Sequence, residues 1–232
     1  MPKYPRISRN LFYLFFVLLL PFLQLCIHIF QENYYAFDLG ILQNLETRQN
    51  PLLNFVFSSV YLISNTYVTG SIVLIALIYL IRRRYWSEVK ALVFATLGIL
   101  LLVDKVLKPF FDRDRPPKPR LVSDLSPDSF PSGHAAGNLV FYFYMAFIIA
   151  TIYPRLAKYV YGLASAIVLL IGFSSIYVKA HWTTDIVGGY LFGYCWLLAS
   201  LMLLQFLTNR QFESESAKLE TVPQEDAKGL KK

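Results

Sequence analysis

Long apolar segments recur along this sequence, and they restrict its possible folds more than any other feature. A helix of about 20 apolar residues crosses the hydrocarbon core of a bilayer, which is roughly 30 Å thick. The segments that we delimit on this basis are Leu11 to Phe30, Tyr67 to Ile81, Val89 to Leu107, Ala135 to Tyr153, Tyr159 to Val178 and Ile186 to Leu207. The sequence therefore predicts an all-α fold, a polytopic membrane bundle with six transmembrane helices.

The composition argues against a soluble protein. Of the 232 residues, 56% are hydrophobic and 16% are charged, whereas soluble domains contain roughly 45–50% and about 25%. The formal net charge of +7 is typical of a membrane protein with basic cytoplasmic loops, so we expect no nucleic-acid partner. A further apolar stretch, Leu52 to Ser64, runs into the polar residues Asn65 and Thr66, and we expect it to form an interfacial helix.

The charges of the short loops predict the orientation in the membrane. The connection over residues 31–51 has one basic residue against three acidic ones, which suits the outer side of a plasma (inner) membrane. The loops that we place in the cytoplasm contain Lys3, Arg6, Arg9, Arg82, Arg83, Arg84, Lys90, Arg155 and Lys158. Both termini are then cytoplasmic. Residues 1–207 form the predicted membrane domain, and residues 208–232, balanced in charge and poor in apolar side chains, are expected to be a disordered cytoplasmic tail.

The first segment that suggests chemistry runs from Lys108 to Arg120, at the predicted outer end of the third span. Lys108 and Arg115 bracket a proline-containing turn at the membrane surface, where fixed cations suit a phosphate ester. A solvated loop that follows the helix end is the plainer interpretation of the same charges.

The second segment is Pro131-Ser132-Gly133-His134, immediately before the fourth span. Ser132 is a good N-cap residue, and Gly133 lets the backbone approach a ligand closely. The free N–H groups of a helix start attract anions, so His134 would lie beside any bound anion. An ordinary helix cap with an incidental histidine explains this tetrapeptide equally well.

The third segment, Ser174 to Asp185, lies at the predicted outer end of the fifth span. A spacing of four places His181 and Asp185 on one face of a helical turn, where a carboxylate holds an imidazole in one tautomer and raises its basicity. An activated histidine nucleophile needs this arrangement. The alternative is a His181–Trp182 pair that anchors the helix among the lipid headgroups.

Together the three segments resemble the type 2 phosphatidic acid phosphatase family of integral membrane lipid phosphatases. The family motifs are K-x6-R-P, P-S-G-H and S-R-x5-H-x3-D, in that order. The matching positions are Lys108, Arg115 and Pro116, then Pro131 to His134, then Ser174, His181 and Asp185. The resemblance covers the whole body of six predicted spans.

The resemblance implies a lipid phosphatase that needs no metal or other cofactor and works in two steps. His181 would attack phosphorus and form a phosphohistidine, and Asp185 would orient and stabilise it. His134 would protonate the leaving oxygen and then activate water.

The resemblance also implies how the phosphate is bound. Lys108, Arg115 and the amides around Ser132 and Gly133 would hold the phosphate oxygens. No cluster of carboxylates, histidines or cysteines has the spacing of metal ligands, so we expect no metal site.

One position departs from the family pattern, because Ser175 stands where the third motif has arginine. Lys179 lies four residues later, on the same helical face if the fifth span stays helical that far, and we expect it to supply the missing charge to the phosphate. Otherwise the site works with two cationic side chains or uses Arg113 instead.

The leading functional hypothesis is a phosphatase that hydrolyses a phosphate monoester or pyrophosphate of a lipid at the outer leaflet. The expected partners are a lipid phosphate and the bilayer. Phosphatidic acid, phosphatidylglycerol phosphate, undecaprenyl pyrophosphate and the phosphates of lipid A all fit this description. The alternatives are a lipid phosphotransferase of the same family and, because of Ser175, a non-catalytic relative that binds lipid phosphates.

Overall fold

The computed structural model describes the backbone of residues 4, 9–123 and 125–220 and the side chains of residues 4, 10–123 and 125–211. Over these residues the chain forms helices and no β-strand, with one isolated antiparallel bridge between Asp114 and Asp128. The predicted all-α fold is confirmed.

The described residues form ten α-helices. They are α1 (Arg9–Phe30), α2 (Tyr35–Glu46), α3 (Pro51–Ile63), α4 (Thr66–Arg82), α5 (Trp86–Val93), α6 (Ile99–Leu102), α7 (Lys108–Phe111), α8 (Gly133–Ile152), α9 (Ala157–Tyr177) and α10 (Thr183–Glu220). The π-helical turns Phe94–Gly98 and Val103–Leu107 join α5, α6 and α7 into one interrupted helix, and a 3₁₀ turn, Pro154–Leu156, precedes α9.

Four of the described helical segments are long and apolar enough to cross a membrane. They are Asn10–Phe30, Gly133–Ile152, Pro154–Tyr177 and Thr183–Gln211. Helices α3 and α4 form a fifth candidate if they are one span with a 44° bend. The interrupted helix from Trp86 to Phe111 contains the third predicted span. This architecture is compatible with six spans in an integral multi-pass membrane protein.

Local sequence explains the break between α3 and α4. The Asn50 side chain caps α3 by accepting a hydrogen bond from Leu53 N at 3.0 Å, with Pro51 at the first helical position. The Asn65 side chain caps α4 in the same way, by accepting a hydrogen bond from Val68 N at 2.9 Å. Helix α3 therefore forms where an interfacial helix was predicted, and Asn65 starts a new helix in a new direction.

Two parts of the chain differ from the expectations. Helix α2 lies within the connection over residues 31–51, where no helix was predicted. Helix α10 continues past Leu207 to Glu220, so it includes the first residues of the segment expected as a tail. The rest of that tail, residues 221–232, lies outside the described residues.

Helices α8 and α10 pack closely at the end of the bundle where both begin. A Cβ atom at Gly189 would lie 2.7 Å from the Ser132 backbone oxygen, and one at Gly193 would lie 3.0 Å from Ala136 Cα. Small residues spaced by four let two membrane helices approach at the backbone. The contact holds the start of α8, with Ser132 as its N-cap, against the first turns of α10.

Candidate active site

A cavity of about 430 Å³ lies at the end of the bundle where α7 ends and α8 and α10 begin. All three sequence segments line it, through Lys108 and Arg115, Gly133 and His134, and His181. The other lining residues are Tyr61, Thr66, Leu100, Asp104, Lys105, Leu125, Ser126, Pro127 and Asp128. The fold therefore brings the chemistry-bearing side chains of the three segments to one place.

His181 lies in the short turn between α9 and α10 and is only 1% exposed. Its Nδ1 is 3.3 Å from Asp185 Oδ2, and its Nε2 is 3.4 Å from Arg115 Nη1. Asp185 Oδ2 also accepts a hydrogen bond from Trp182 N at 2.9 Å. One imidazole nitrogen thus faces a fixed carboxylate, and the other faces the cationic side of the cavity.

The surroundings of His181 keep its imidazole neutral. Burial lowers the pKa of His181 to about 4, and the positive charges of Arg115 and Lys108 act in the same direction. The hydrogen bond to Asp185 acts in the opposite direction and only partly compensates. At neutral pH the Nε2 lone pair is therefore free of a proton when Nδ1–H donates to Asp185.

Two buried cations, Lys108 and Arg115, line the cavity together with His181. Lys108 Nζ lies 2.5 Å from Asp104 Oδ1 and 3.4 Å from Ser126 Oγ. Arg115 donates from Nε to Ser126 O at 2.5 Å and from Nη1 to Ala180 O at 2.5 Å. The loop around Ser126 and the turn before His181 therefore fix the guanidinium and the ammonium group in the cavity wall.

The P-S-G-H turn has the predicted helix-start geometry. Ser132 is the N-cap of α8, and its Oγ accepts a hydrogen bond from Ala135 N at 3.3 Å. The His134 ring stacks on the Tyr61 ring, with centroids 4.6 Å apart and planes at 18°. His134 Nε2 is buried and has no hydrogen-bond partner in the described part of the chain. This nitrogen is available to a bound substrate.

The expected role of Lys179 is not supported by its geometry. Helix α9 ends at Tyr177, and Lys179 has a left-handed backbone with φ of 62°, so Ser175 and Lys179 do not continue one helical face. The Lys179 ammonium group forms an ion pair with the Glu46 carboxylate and is not part of the cavity lining. Ser175 is fully buried and donates a hydrogen bond to Ile171 O within α9.

Arg113, the alternative cation, is occupied by carboxylates. Its Nη1 donates to Asp185 Oδ1 at 2.6 Å, and its Nη2 donates to Asp38 Oδ2 at 2.7 Å. Arg113 does not line the cavity. It contacts the side of Asp185 that faces away from His181.

Sequence reasoning missed Tyr61 and Asp38. Tyr61 belongs to α3 and reaches His134 only through the packing of α3 on the bundle. Asp38 is fully buried in α2, a helix with no recognisable motif. The sequence offered one signal for Asp38: an acidic residue among apolar neighbours needs a charged or hydrogen-bonding partner if it is buried.

A second, apolar cavity adjoins the first. It has a volume of about 270 Å³ and lies between α4, the interrupted helix and α8. Leu77, Leu97 and Phe141 are among its walls, and Gly133 and His134 line both cavities. A polar cationic site thus adjoins a mostly apolar groove at the first turn of α8.

Known proteins resemble this chain in sequence. A family model described as the PAP2 superfamily matches residues 88–209. Phosphatidylglycerophosphatase B of Bacillus subtilis (strain 168) is 32% identical over 149 residues, which are 62% of this chain and 72% of that protein.

Two crystal structures are similar to this one. A transmembrane PAP2-type phosphatidylglycerolphosphate phosphatase from Bacillus subtilis superposes with a TM-score of 0.69 at 28% identity, over 86% of this chain and 96% of that chain. Aquifex aeolicus LpxE superposes with a TM-score of 0.55 at 26% identity, over 71% and 94% of the two chains. Since the family model spans more than half of the chain and includes all three motifs, the resemblance seen in the motifs is confirmed, and the chain belongs to the PAP2 superfamily.

Proposed function

We propose that this protein is a membrane-embedded phosphatase that hydrolyses a phosphate monoester or pyrophosphate of a lipid. The observation that carries the proposal is the junction of the two cavities at Gly133 and His134. A lipid phosphate has a charged end that needs fixed cations and an apolar end that needs an apolar groove. The relative named phosphatidylglycerophosphatase B supports a phospholipid phosphate as the substrate class.

His181 is the nucleophile of the proposed reaction. Its neutral Nε2 attacks phosphorus, and the bond between phosphorus and the lipid oxygen breaks as the bond between nitrogen and phosphorus forms. Asp185 accepts the Nδ1–H hydrogen bond and stabilises the positive charge that develops on the ring. The 3.3 Å separation of His181 Nδ1 from Asp185 Oδ2 supports this role.

His134 acts first as an acid and then as a base. In its protonated form it donates its Nε2 proton to the leaving lipid oxygen. Neutral His134 then removes a proton from water, which attacks the phosphohistidine and releases inorganic phosphate and free His181. The unpartnered Nε2 at the boundary of the two cavities supports this assignment.

The cations stabilise the charge on the transferring phosphoryl group. Lys108, Arg115 and the N–H groups that follow Ser132 at the start of α8 hold its equatorial oxygens. These groups supply the countercharge without a metal ion, so activity should persist in the presence of chelators. Vanadate, whose five-coordinate adducts resemble the transition state, should inhibit.

The proposed site faces the outer leaflet. The acidic connection over residues 31–51, assigned to the outer side by its charges, contributes Asp38 and Glu46, which contact Arg113 and Lys179 beside the site. The basic loops lie at the other ends of α4 and α8. The active site is therefore on the side opposite to the loops that the sequence assigns to the cytoplasm, which contain Arg82, Arg83, Arg84, Arg155 and Lys158.

One experiment tests the function and the nucleophile together. Purified, detergent-solubilised protein is assayed for phosphate release from phosphatidylglycerol phosphate, phosphatidic acid, undecaprenyl pyrophosphate and lipid A. His181→Gln should abolish release from every substrate, whereas the matched control His28→Gln, in α1 and away from the cavity, should retain it. Turnover near the wild-type rate in the folded His181→Gln variant would eliminate the proposed mechanism.

A further inference from the structure

Helix α2 and the residues that follow it are attached to the turn that carries His181. Asp38 contacts Thr184 and Arg113, Glu46 pairs with Lys179, and Gln49 Nε2 donates to Tyr177 O at 3.4 Å. These contacts lie on both sides of His181 in sequence. A segment without any family motif thus contacts both ends of the turn that contains His181.

Asp38 makes the most buried of these contacts. It is 0% exposed, and its Oδ1 accepts a hydrogen bond from Thr184 N at 3.0 Å. Its Oδ2 accepts from Thr184 Oγ1 at 2.5 Å and from Arg113 Nη2 at 2.7 Å. Because Thr184 is in the first turn of α10, Asp38 satisfies a free N–H of that helix from a different element.

Arg113 connects Asp38 to Asp185. Its Nη1 donates to Asp185 Oδ1 at 2.6 Å and to Thr184 Oγ1 at 2.8 Å. This leaves Asp185 Oδ2 to the His181 ring and to Trp182 N. The two oxygens of Asp185 therefore bind different partners: Oδ1 binds Arg113, and Oδ2 binds His181 and Trp182 N. The Arg113 guanidinium fixes the rotation of the Asp185 carboxylate.

Charge balance gives Asp38 a second effect. Arg113 lies between two fully buried carboxylates, and its side chain is itself 14% exposed. Asp38 offsets part of the guanidinium charge, so Asp185 keeps more of its negative potential at His181. Without the Asp38 charge, Arg113 would reduce the support that Asp185 gives to a positive imidazole.

We propose that Asp38 is a positioning residue of the nucleophile. Acting through Thr184 and Arg113, it fixes the rotation and the charge of Asp185, and Asp185 in turn orients His181. This inference rests on the proposed role of His181 as the nucleophile. Asp38 itself does not line the cavity and does not touch the substrate.

The test compares Asp38→Asn with Asp112→Asn. The first replacement keeps the size of the side chain but removes its negative charge. It also places an amide N–H group opposite the groups of Thr184 and Arg113 that donate to Asp38. The second makes the same chemical change at an exposed residue of the neighbouring loop. Asp38→Asn should lower kcat roughly 10–100-fold, the size of effect found when the outer hydrogen-bond partners of metal-ligating histidines are removed, with little change in KM. Asp112→Asn should match the wild type.

A burst measurement separates positioning from loss of folded protein. With a radiolabelled short-chain lipid phosphate and an alkaline quench, the amplitude of phosphohistidine formation counts intact sites, and its rate constant reports their reactivity. For Asp38→Asn we expect a wild-type amplitude and a reduced rate constant. A reduced amplitude with an unchanged rate constant would show that Asp38 only supports the fold, and would overturn the proposal.

Thr184→Val provides the second variant if Asp38→Asn does not fold. It removes the hydroxyl that contacts Asp38 and Arg113 and keeps the backbone bond from Thr184 N. A reduced rate constant supports the proposal, and a wild-type rate constant contradicts it. In addition, Asp38→Asn combined with Arg113→Gln should cost no more than Arg113→Gln alone, whereas additive losses would exclude a shared pathway.

The two proposals fail in different ways. If His181→Gln is inactive and Asp38→Asn has normal kinetics, only the positioning role is wrong. If His181→Gln retains turnover, the proposed reaction itself is wrong.

Discussion

At the residue scale, burial determines the protonation state of His181, the proposed nucleophile. A histidine in water has a pKa near 6.5, so part of the population is protonated at about this pH. The protonated ring has no nitrogen lone pair for an attack. In this protein the loss of hydration and two nearby cations disfavour the charged ring, while Asp185 Oδ2 accepts a hydrogen bond from Nδ1–H of the neutral ring. The proposed attack by this imidazole therefore needs no separate base.

The first prediction concerns this protonation state. Because the pKa of His181 is lowered to about 4, its ring gains a proton only as the pH falls through that value. At pH 6 the ring should therefore be neutral. Nitrogen-15 NMR of histidine-labelled protein in detergent, with the signals assigned by comparison with His181→Gln, measures this directly. A His181 signal that titrates near pH 6.5 would contradict the described environment.

The second prediction concerns the two cations that sequence reasoning grouped together. Arg115→Gln removes a cavity cation and should lower kcat about 100- to 1,000-fold, as loss of one transition-state contact typically does. Lys179→Asn breaks the ion pair with the 41% exposed Glu46 side chain, which lies outside the cavity lining, so phosphate release should stay near the wild-type rate. Asparagine also tolerates the left-handed backbone of Lys179.

Rates of phosphate release from the two variants provide the comparison. If Lys179→Asn lowers the rate of phosphate release as much as Arg115→Gln does, Lys179 contributes to phosphate binding after all. Near-normal activity in Lys179→Asn would leave the site with two cationic side chains from the family motifs, Lys108 and Arg115.

At the element scale, the contact between α8 and α10 determines the geometry of the site. His134 belongs to the first turn of α8, and Asp185 belongs to the first turn of α10. The two helix starts are held together where Gly189 meets the Ser132 backbone oxygen and where Ser132 N donates to Asp185 O at 3.1 Å. The relative position of the two proposed catalytic segments therefore depends on a glycine outside all three motifs.

The third prediction follows from this contact. Gly189→Ala would place a Cβ atom 2.7 Å from Ser132 O, and the backbone must shift to relieve the overlap. Overpacking of this kind costs about 1–3 kcal/mol, so thermal stability in detergent and kcat should both fall. The control Gly162→Ala, in α9 with nothing within 4 Å of the added atom, should be neutral or slightly stabilising. Equal stability of the two variants would refute the close approach.

At the scale of the whole molecule, the site and the apolar groove share one end of the bundle. A substrate anchored in the bilayer reaches such a site without leaving the membrane, because its chains remain in an apolar environment while its phosphate enters the cationic cavity. The orientation of the bundle then decides which leaflet supplies the substrate.

The fourth prediction tests that orientation. In a background with Cys26 and Cys195 replaced by alanine, a cysteine at Ser123 should react with an impermeant thiol reagent applied to intact cells. A cysteine at Arg155, in the loop before α9, should react only after the cells are opened. Both positions are exposed in the structure. The reverse pattern would place the site at the cytoplasmic leaflet.

The sequence alone determined the features that depend on neighbouring residues. Apolar length predicts membrane helices, Ser132 predicts a helix start, and the spacing of His181 and Asp185 predicts their contact. The last two signals act within about one helical turn, and the first acts within a single helix. The three motifs also identified the family and five of the fourteen described residues that line the cavity.

Only the tertiary structure decided which groups surround these residues. Asp38 meets Arg113 and Thr184, and Tyr61 meets His134, across separations of 73 to 146 residues, and nothing in the local sequence marks these pairs. The early end of α9 likewise turned Lys179 toward Glu46. The physical reason is that local patterns set helix type and start, whereas the direction of a side chain beyond a helix end depends on the elements packed around it.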